Sequence, residues 1–310
     1  MNILIAGGAG FLGSHFCDLL IEKGHTVCCV DNLITGKKGN IQHLLNNKNF
    51  KFKKVDIVKI FSIKEKFDTV INFASIASPI CYNTYKIETL LVGSYGTYNL
   101  LELARKNKAK FLFASTSEIY GNPVISPQKE TYWGNVNPIG ARSMYDESKR
   151  FSEALIMNYH KVYGIDTKIV RIFNTYGPRM NINDGRVIPQ FIYQALHNKP
   201  ITVFGDGKQT RSLCFVSDLI SGIYKLLMSK ENLPINIGSP CELTIKKIAK
   251  IIIKLTNSKS KIVYKPLPED DPKRRKPDIT KAKQILKWQP KVSLEEGLLK
   301  TIEYFKELNK

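Results

Sequence analysis

The first twenty residues, MNILIAGGAGFLGSHFCDLL, constrain the fold of this chain more than any other stretch. The apolar run at residues 3–6 predicts a short buried strand, and residues 11–20 carry apolar side chains at helical spacing. The turn between them contains Gly7, Gly10 and Gly13. In such a turn the first glycine permits a tight reversal, the second lets the backbone approach a pyrophosphate, and the third lets strand and helix pack closely. The pattern predicts a dinucleotide-binding unit with the phosphates at the helix N-terminus.

The next apolar run ends in an acid at the distance expected for such a unit. Residues 26–30 predict a second strand, and Asp31 follows the glycines by about 20 residues. A carboxylate there accepts both hydroxyls of an adenosine ribose and repels a ribose phosphate, so the sequence favours NAD over NADP. A glycine-rich turn can also be purely structural, but the flanking strands and Asp31 favour the cofactor interpretation.

Further segments of the first half are expected to line the same cofactor. The polar loop after Asp31 could fold over the adenosine, and Asp56, at the end of a third predicted strand (50–56), could accept a hydrogen bond from the adenine amino group. The small residues of ASIASP, after a fourth predicted strand (69–74), suit close approach of the cofactor. The predicted cofactor-binding residues are Gly7, Gly10, Phe11, Leu12, Gly13, Asp31, Asn32, Thr35, Gly36, Asp56, Ile57, Ala74, Tyr145 and Lys149.

Strand and helix patterns alternate through the first half of the chain, with a fifth predicted strand at residues 111–114. The alternation predicts an α/β fold, a Rossmann-type doubly wound parallel sheet with a smaller C-terminal substrate-binding lobe. We expect residues 1–174 to form an NAD-binding domain that carries the catalytic residues. Residues 175–310 would form mainly the substrate lobe, interleaved with the first domain, because no linker or internal repeat separates them.

Candidate catalytic residues follow the fifth strand, in STSEIYG and on the next long helix. The strand ends at the sheet edge where open α/β proteins bind ligands. Tyr145 and Lys149 are four residues apart and therefore share one helical face. A nearby ammonium and a positively charged nicotinamide both favour the phenolate, so Tyr145 could take a hydroxyl proton as hydride leaves the same carbon. Ser115 or Thr116 could orient that hydroxyl. A tyrosine and a lysine at this spacing are usually unrelated surface residues, and the preceding glycine turn makes the pair informative.

The formal charge of +20 could indicate a polyanionic partner such as nucleic acid. The lysines are scattered singly and no arginine-rich helix occurs, so we interpret the charge as a solvated surface that would also suit an anionic substrate. No apolar run approaches the roughly 20 residues of a membrane helix, and the N-terminus is already a strand, which leaves no place for a signal peptide. We therefore predict a cytoplasmic protein without nucleic-acid or membrane partners. The six cysteines show no metal-ligand spacing, so we expect reduced core residues and no metal.

These motifs together resemble the extended short-chain dehydrogenase/reductase family, whose members act on nucleotide sugars. The resemblance rests on the glycine turn with Asp31, on STSEIYG and on YDESK. Three later stretches are similar to the UDP-glucuronate decarboxylase branch of that family, and the similarity covers essentially the whole chain. They are RIFNTYGPRMNINDGRVIPQFIYQAL (171–196), FGDGKQTRSLCFVSDL (204–219) and EDDPKRRKPDITKAKQILKWQP (269–290).

The resemblance implies decarboxylation of UDP-glucuronate to UDP-xylose through a 4-keto intermediate, with NAD regenerated internally. The expected catalytic residues are Tyr145, Lys149, Thr116 and Glu118, with Glu118 controlling the surroundings of C5 as an acid/base or by orienting water. Loop arginines suit a diphosphate because a guanidinium forks onto its oxygens. The resemblance implies the following substrate-binding residues: Arg211 and Arg275 on the diphosphate, Arg186 near the sugar and nucleotide, and Asn174 on the UDP-sugar.

Several alternatives stay open at this point. A nucleotide-glucose 4,6-dehydratase begins with the same oxidation but typically carries adjacent Asp and Glu after the threonine, whereas Ser117 and Glu118 follow Thr116 here. An enzyme that stops at UDP-4-keto-pentose would differ in releasing NADH, and the sequence does not separate it from a complete decarboxylase. An epimerase or a UDP-apiose-forming relative is less favoured. A non-catalytic dinucleotide- or polyanion-binding protein is disfavoured because Thr116, Tyr145 and Lys149 stand where the chemistry needs them.

The resemblance also implies a homodimer. Relatives of this type pair two long helices from each subunit in a four-helix interface, and residues 90–105 and 143–163 would supply them. In GSYGTYNLL, Gly93 stands where relatives usually have asparagine, which puts a local hydrogen bond in doubt.

Overall fold

The computed structural model describes residues 1–266 and 274–308, so residues 269–273 of the third resembling stretch lie outside the described part. In that part the strands are β1 (Asn2–Ala6), β2 (Thr26–Asp31), β3 (Phe50–Lys54), β4 (Thr69–Asn72), β5 (Lys110–Thr116), β6 (Thr167–Ile172), β7 (Thr175–Tyr176), β8 (Ile201–Phe204), β9 (Thr210–Ser212), β10 (Cys214–Phe215), β11 (Ile235–Ile237), β12 (Glu242–Thr244), β13 (Ile262–Lys265) and β14 (Arg274–Arg275). The helices are α1 (Phe11–Glu22), α2 (Pro79–Thr84), α3 (Lys86–Leu91), α4 (Thr97–Asn107), α5 (Ser143–Tyr163), α6 (Val187–Leu196), α7 (Val216–Met228), α8 (Ile245–Thr256), α9 (Thr280–Leu286) and α10 (Leu294–Glu307).

Seven of the described strands form one parallel sheet in the order β11-β6-β5-β4-β1-β2-β3. Successive residues of β1 alternate between its faces, and both faces are buried: Ile3 and Ile5 join one apolar cluster, while Leu4 and Ala6 join the other. Helices therefore cover both sides of the sheet, which confirms the predicted doubly wound Rossmann-type fold. Strand order reverses between β1 and β4, and open sheets of this kind bind ligands at that point.

The C-terminal half supplies the edge strand β11 and three small sheets, β7 with β10, β8 with β13, and β9 between β12 and β14. Helix α8 of this half begins after Thr244, whose hydroxyl accepts the Lys247 N–H at 3.2 Å. Its buried residues Ile248 and Ile252 belong to the same apolar cluster as Ile3 and Ile5 of β1. The C-terminal lobe is therefore continuous with the main core. The division at residue 174 stays a prediction.

The predicted helix at 90–105 is wider in one turn than expected. It runs from α3 into α4 through a π-helical turn at Val92–Gly96, which brings Gly93 against α5. A Cβ at Gly93 would lie 2.5 Å from the Cβ of Ser148, and the Gly93 carbonyl accepts the hydroxyl of Ser152. Glycine therefore permits a close contact between the two helices.

Two smaller observations complete the fold. Cys17, Cys28, Cys29 and Cys214 are buried as expected, and Cys81 is partly buried. Cys241 is exposed because it lies in the loop directly before β12, so the prediction that the cysteines are core residues is wrong for Cys241. Within residues 1–266 and 274–308, no helix combines the length and apolar character needed to cross a bilayer.

Candidate active site

A cavity of about 590 Å³ opens where the central strands end, and both halves of the chain line it. That volume suits a bound small molecule. The predicted residues that line it are Gly7, Gly10, Phe11, Leu12, Gly13, Asp31, Asn32, Thr35, Gly36, Ile57, Ala74, Thr116, Glu118, Tyr145, Lys149, Asn174, Arg186, Arg211 and Arg275. Asp56 is not among the described lining residues. Its Oδ1 accepts the Val58 N–H at 3.1 Å, although Val55 and Ile57 on either side of it do line the cavity.

The glycine turn forms a cradle at one end of the cavity. Gly7 has a φ of +76°, and a Cβ there would lie 2.6 Å from the backbone nitrogen of Ala74. A Cβ at Gly13 would lie 2.1 Å from the Gly7 carbonyl oxygen, which the close packing of α1 on β1 explains. A Cβ at Gly10 would have only the Gly7 carbonyl oxygen near it, at 3.2 Å, so the space above Gly10 is open. Helix α1 begins directly after Gly10, and its first N–H groups suit a diphosphate.

Asp31 ends β2 beside this cradle and is 8% exposed. Its carboxylate accepts the N–H groups of Ala9 and Leu33 at 3.0 and 2.8 Å. Burial raises the pKa of Asp31, and these two hydrogen bonds oppose the shift. A Cβ at Gly36 would lie 2.8 Å from both carboxylate oxygens, so a glycine lets the following loop close over the acid. The arrangement fits the adenosine ribose of a dinucleotide.

Tyr145 and Lys149 lie one turn apart on α5 and face the cavity. The Lys149 Nζ donates to the Ala114 carbonyl at 2.8 Å and lies 5.9 Å from the centre of the Tyr145 ring. Burial raises the pKa of Tyr145, and a hydrogen bond with Thr116 opposes that shift. Burial lowers the pKa of Lys149 to about 7, against the opposing charge of Glu153. The Thr116 hydroxyl, the Tyr145 phenol and the Lys149 amine thus lie together at the cavity. Such a set can transfer a proton to or from the hydroxyl of a bound ligand.

The Lys149 amine predicts a specific pH dependence of stability in the ligand-free protein. Its pKa is about 7 when folded and about 10.4 in an unfolded chain. Between these values the unfolded state binds more protons, so stability falls as pH is lowered from about 10.4 to about 7, and the full penalty is present below about 7. We expect Lys149→Met to raise the melting temperature over wild type more at pH 6.5 than at pH 9.5. Equal gains at both pH values would contradict a buried, neutral amine.

The position after the fifth strand left Ser115 or Thr116 to orient the hydroxyl, the resemblance favoured Thr116, and the two hydroxyls have different partners in the structure. The Ser115 hydroxyl donates to Glu153 at 2.5 Å, and Glu153 is paired with Arg171 at 2.7 Å. That hydroxyl is therefore engaged in the core. Thr116 ends β5, and its hydroxyl contacts Tyr145 and accepts the Glu118 N–H at 3.2 Å. Thr116 is thus the hydroxyl placed to orient a substrate.

Glu118 lies in a cluster of arginines next to Thr116. Its Oε2 contacts Arg142 Nη2 at 2.5 Å and Arg275 Nη2 at 2.9 Å. Burial alone would raise the pKa of Glu118, but Arg275, Arg142 and Arg211 together hold it below its usual value. Glu118 is therefore ionised and accepts hydrogen bonds. Arg275, 2% exposed, also donates to the Ser117 carbonyl, so its guanidinium lies at the end of the cavity beside Thr116 and Glu118.

Sequence reasoning missed Arg142. It immediately precedes α5, contacts Glu118 and lies over the Tyr82 ring at 6.0 Å, and the Tyr82 ring in turn stacks on Tyr145 at 5.6 Å. Its position three residues before Tyr145, one turn earlier on the same side of the helix, is the signal that could have found it.

The remaining predicted residues line the part of the cavity formed by the C-terminal half. Arg186, which precedes α6, makes two hydrogen bonds to Asp184, one of them at 2.6 Å. Arg211 lies on β9, and its Nη1 donates to the Thr210 carbonyl at 2.9 Å. Asn174 lies between β6 and β7, where its carbonyl accepts the Cys214 N–H at 2.9 Å. Positive side chains here would suit an anionic ligand.

The fold and the site together define an NAD-type short-chain dehydrogenase/reductase of the extended class, with a Thr–Tyr–Lys set below a glycine cradle. The family model described as GDP-mannose 4,6 dehydratase matches residues 4–301, and the chain belongs to that family.

Curated relatives and solved structures agree with that assignment. UDP-glucuronic acid decarboxylase 4 of Arabidopsis thaliana is 48% identical over 307 residues, which cover 99% of this chain and 69% of the relative. UDP-glucose 4-epimerase of Thermotoga maritima, solved with UDP-glucose, has a TM-score of 0.92 at 33% identity and covers 100% of both chains. UDP-glucuronic acid 4-epimerase of Bacillus cereus, solved with UDP-glucuronic acid and NAD, has a TM-score of 0.87 at 32% identity, over 99% of this chain and 100% of that one.

Proposed function

We propose that this chain is a UDP-glucuronate decarboxylase that forms UDP-xylose with a bound NAD. The observation that carries the proposal is the meeting of Thr116, Tyr145 and Lys149 with an arginine cluster around Glu118 in one cavity. The proposal is also supported by the 48% identity of the chain to a plant UDP-glucuronic acid decarboxylase. A uronate differs from a neutral hexose by its carboxylate, and a cation-lined site suits that charge.

The cofactor would be held by the glycine cradle, Asp31 and the loop that Gly36 closes, with the small residue Ala74 opposite. When bound, NAD supplies the acceptor for the C4 hydride and returns that hydride in the last step. Asp31 disfavours a 2′-phosphate, so NAD is preferred to NADP. The Tyr145 and Lys149 side chains would flank the nicotinamide end.

The chain's own residues carry the proton transfers. Tyr145 takes the proton of the C4 hydroxyl, which Thr116 holds in line, and the nearby Lys149 favours the phenolate when it is charged. With C4 as a ketone, the substrate is a β-keto acid. The bond between C5 and the carboxylate carbon breaks, carbon dioxide leaves, and the electron pair of that bond stays on the sugar as an enolate. Thr116 and the protonated Tyr145 donate hydrogen bonds to the enolate oxygen. A proton from solvent then reaches C5, and Tyr145 returns its proton to the C4 oxygen.

Glu118 is assigned to the surroundings of C5. Because the arginines hold it ionised, it acts as an acceptor that orients water near C5 rather than as the resting proton donor. Arg186, Arg211 and Asn174 would hold the UDP portion. For Arg275 we propose a position nearest the reacting sugar, in place of the diphosphate contact that the resemblance implies, because its guanidinium contacts Glu118.

The test is turnover. Purified protein is incubated with UDP-glucuronate and catalytic NAD, and the nucleotide sugar is identified by NMR. We expect UDP-xylose in many-fold excess over cofactor. UDP-4-keto-pentose with stoichiometric reduced cofactor would mean that the final reduction is missing. Retention of the carboxyl carbon, with dehydration of UDP-glucose or dTDP-glucose, would overturn the assignment in favour of a 4,6-dehydratase.

A homodimer is the second part of the proposal. Helices α3, α4 and α5 and the turn between α3 and α4 expose large apolar side chains, and a second copy of the chain would cover them. These residues are Ile87, Leu90, Tyr95, Tyr98, Phe151, Val162 and Tyr163. Apolar exposure of this extent on neighbouring helices is typical of a subunit interface.

The dimer predicts a charge-sensitive surface. We expect Tyr95→Glu, at a side chain 61% exposed, to shift the protein from dimer to monomer at micromolar concentration in light scattering. Tyr264→Glu, on β13 and 50% exposed, is the matched control and should leave the mass unchanged. A wild-type monomer would remove this part of the proposal.

We also infer a cytoplasmic location, which cell fractionation would test.

A further inference from the structure

The short segment that carries Arg275 is fastened to the rest of the molecule by a buried glutamine. Gln128 lies in the loop between β5 and α5 and is 0% exposed. Its N–H donates to the Lys276 carbonyl at 2.8 Å, its side-chain oxygen accepts the Lys276 N–H at 2.9 Å, and its carbonyl accepts the Asp278 N–H at 2.8 Å. The side-chain Nε2 donates to the Ile125 carbonyl at 2.8 Å, so each polar group of Gln128 has a partner.

Arg275 depends on such fastening because its guanidinium is buried. Arg275 is the last residue of β14, where it pairs with Arg211 of β9. The next residue, Lys276, is the one that Gln128 holds. The contacts of Arg275 with Glu118 and the Ser117 carbonyl require the backbone to be held at a fixed distance from the end of β5. A buried guanidinium that moves away from its carboxylate leaves both charges poorly compensated.

The same network continues from Gln128 to the catalytic helix. Asn236 on β11 donates to the Gln128 and Asp278 carbonyls at 3.0 and 3.2 Å, and it accepts the Tyr120 hydroxyl at 2.8 Å. Tyr120 accepts from Arg171 at 2.9 Å, and Arg171 is paired with Glu153, one turn beyond Lys149 on α5. The chain of hydrogen bonds therefore ties the Arg275 segment to the scaffold that holds Lys149.

We propose that Gln128 is a positioning residue for the reaction: it sets the Arg275 guanidinium against Glu118 through the backbone of Lys276. Gln128 is absent from the described lining of the cavity, so its proposed effect on the reaction is indirect, through the position of Arg275. This inference rests on the proposed function for its effect on rate, but the fastening itself does not. The proposal makes the loop between β5 and α5 part of the scaffold that positions the Arg275 guanidinium.

The first measurement is hydrogen–deuterium exchange of the Lys276 and Asp278 amides in wild type and in Gln128→Met, which keeps the side-chain length and removes the acceptor. We expect faster exchange of the Lys276 amide in the variant. Gln194→Met is the matched control, because Gln194 also accepts a backbone N–H, that of Thr202 at 3.1 Å. It should leave residues 276–278 unchanged. Unaltered exchange in Gln128→Met would overturn the proposal, whether or not the protein decarboxylates UDP-glucuronate.

The second measurement is a double-mutant cycle with Arg275→Lys, using kcat/KM for UDP-glucuronate. We expect Gln128→Met to lower kcat/KM by about tenfold in the wild-type background and by less than about twofold when Arg275 is already lysine. A merely structural role would instead give effects that multiply, and that result would overturn the proposal. Absence of turnover in wild type would contradict the proposed function alone, because the exchange result still decides the fastening.

Discussion

Tyr145→Phe is expected to lower kcat for UDP-glucuronate by about a thousandfold, the range of a lost general acid–base group. The substitution removes one oxygen from a buried ring that stacks on Tyr82 at 5.6 Å, so the packing is retained while proton transfer at C4 is lost. Substrate affinity should change little. The measurement is turnover by NMR together with calorimetric binding of UDP-glucuronate.

Tyr159→Phe is the matched control for that result. Tyr159 lies on the same helix, is 8% exposed and uses its hydroxyl to donate to Glu102 at 2.9 Å, outside the described cavity lining. Its loss should leave kcat near the wild-type value. Comparable rates for the Tyr145 and Tyr159 variants would show that another group takes the C4 proton.

Gly13→Ala is expected to weaken NAD binding strongly, because it changes the glycine turn of the cofactor cradle. The new Cβ would lie 2.1 Å from the Gly7 carbonyl oxygen, so either the turn or α1 must move. Overpacking of this kind costs about 1–3 kcal/mol, equivalent to up to about a hundredfold in NAD affinity if the shift falls on the phosphate-binding turn. Fluorescence or calorimetric titration with NAD measures it.

Gly39→Ala supplies the control, because a Cβ there would meet nothing within 4 Å. It should bind NAD as wild type does. If Gly13→Ala also binds NAD normally, the phosphates do not lie over this turn and the cofactor assignment fails.

The central sheet could be predicted because local sequence patterns identify several of its strands. Residues 3–6 and 26–30 are continuous apolar runs, and both predicted strands are present within β1 and β2. The edge strand β11 has only three residues, and its pairing with β6 joins positions more than sixty residues apart. No local pattern reports such a pairing, because it depends on how α6 and α7 return the chain to the sheet.

The candidate site was predictable where a motif has fixed spacing and obscure where charge alone was the clue. Tyr145 and Lys149 are placed by helix geometry, and the structure brings them together with Thr116. Arg142 and Arg275 resemble ordinary loop arginines in sequence. What sets them apart in the structure is their shared partner: the partly buried Glu118 carboxylate needs compensating charge, and the fold supplies it from two distant segments.

The contact between Gly93 and Ser148 restricts the order in which the two positions can change during descent. A side chain at position 93 would start 2.5 Å from the Ser148 Cβ, so it enters only after position 148 has lost its own Cβ or α5 has shifted. Serine at 148 and glycine at 93 are thus an epistatic pair. A larger side chain at position 93 therefore requires either a smaller residue at 148 or a displaced α5, so the two positions are expected to change together.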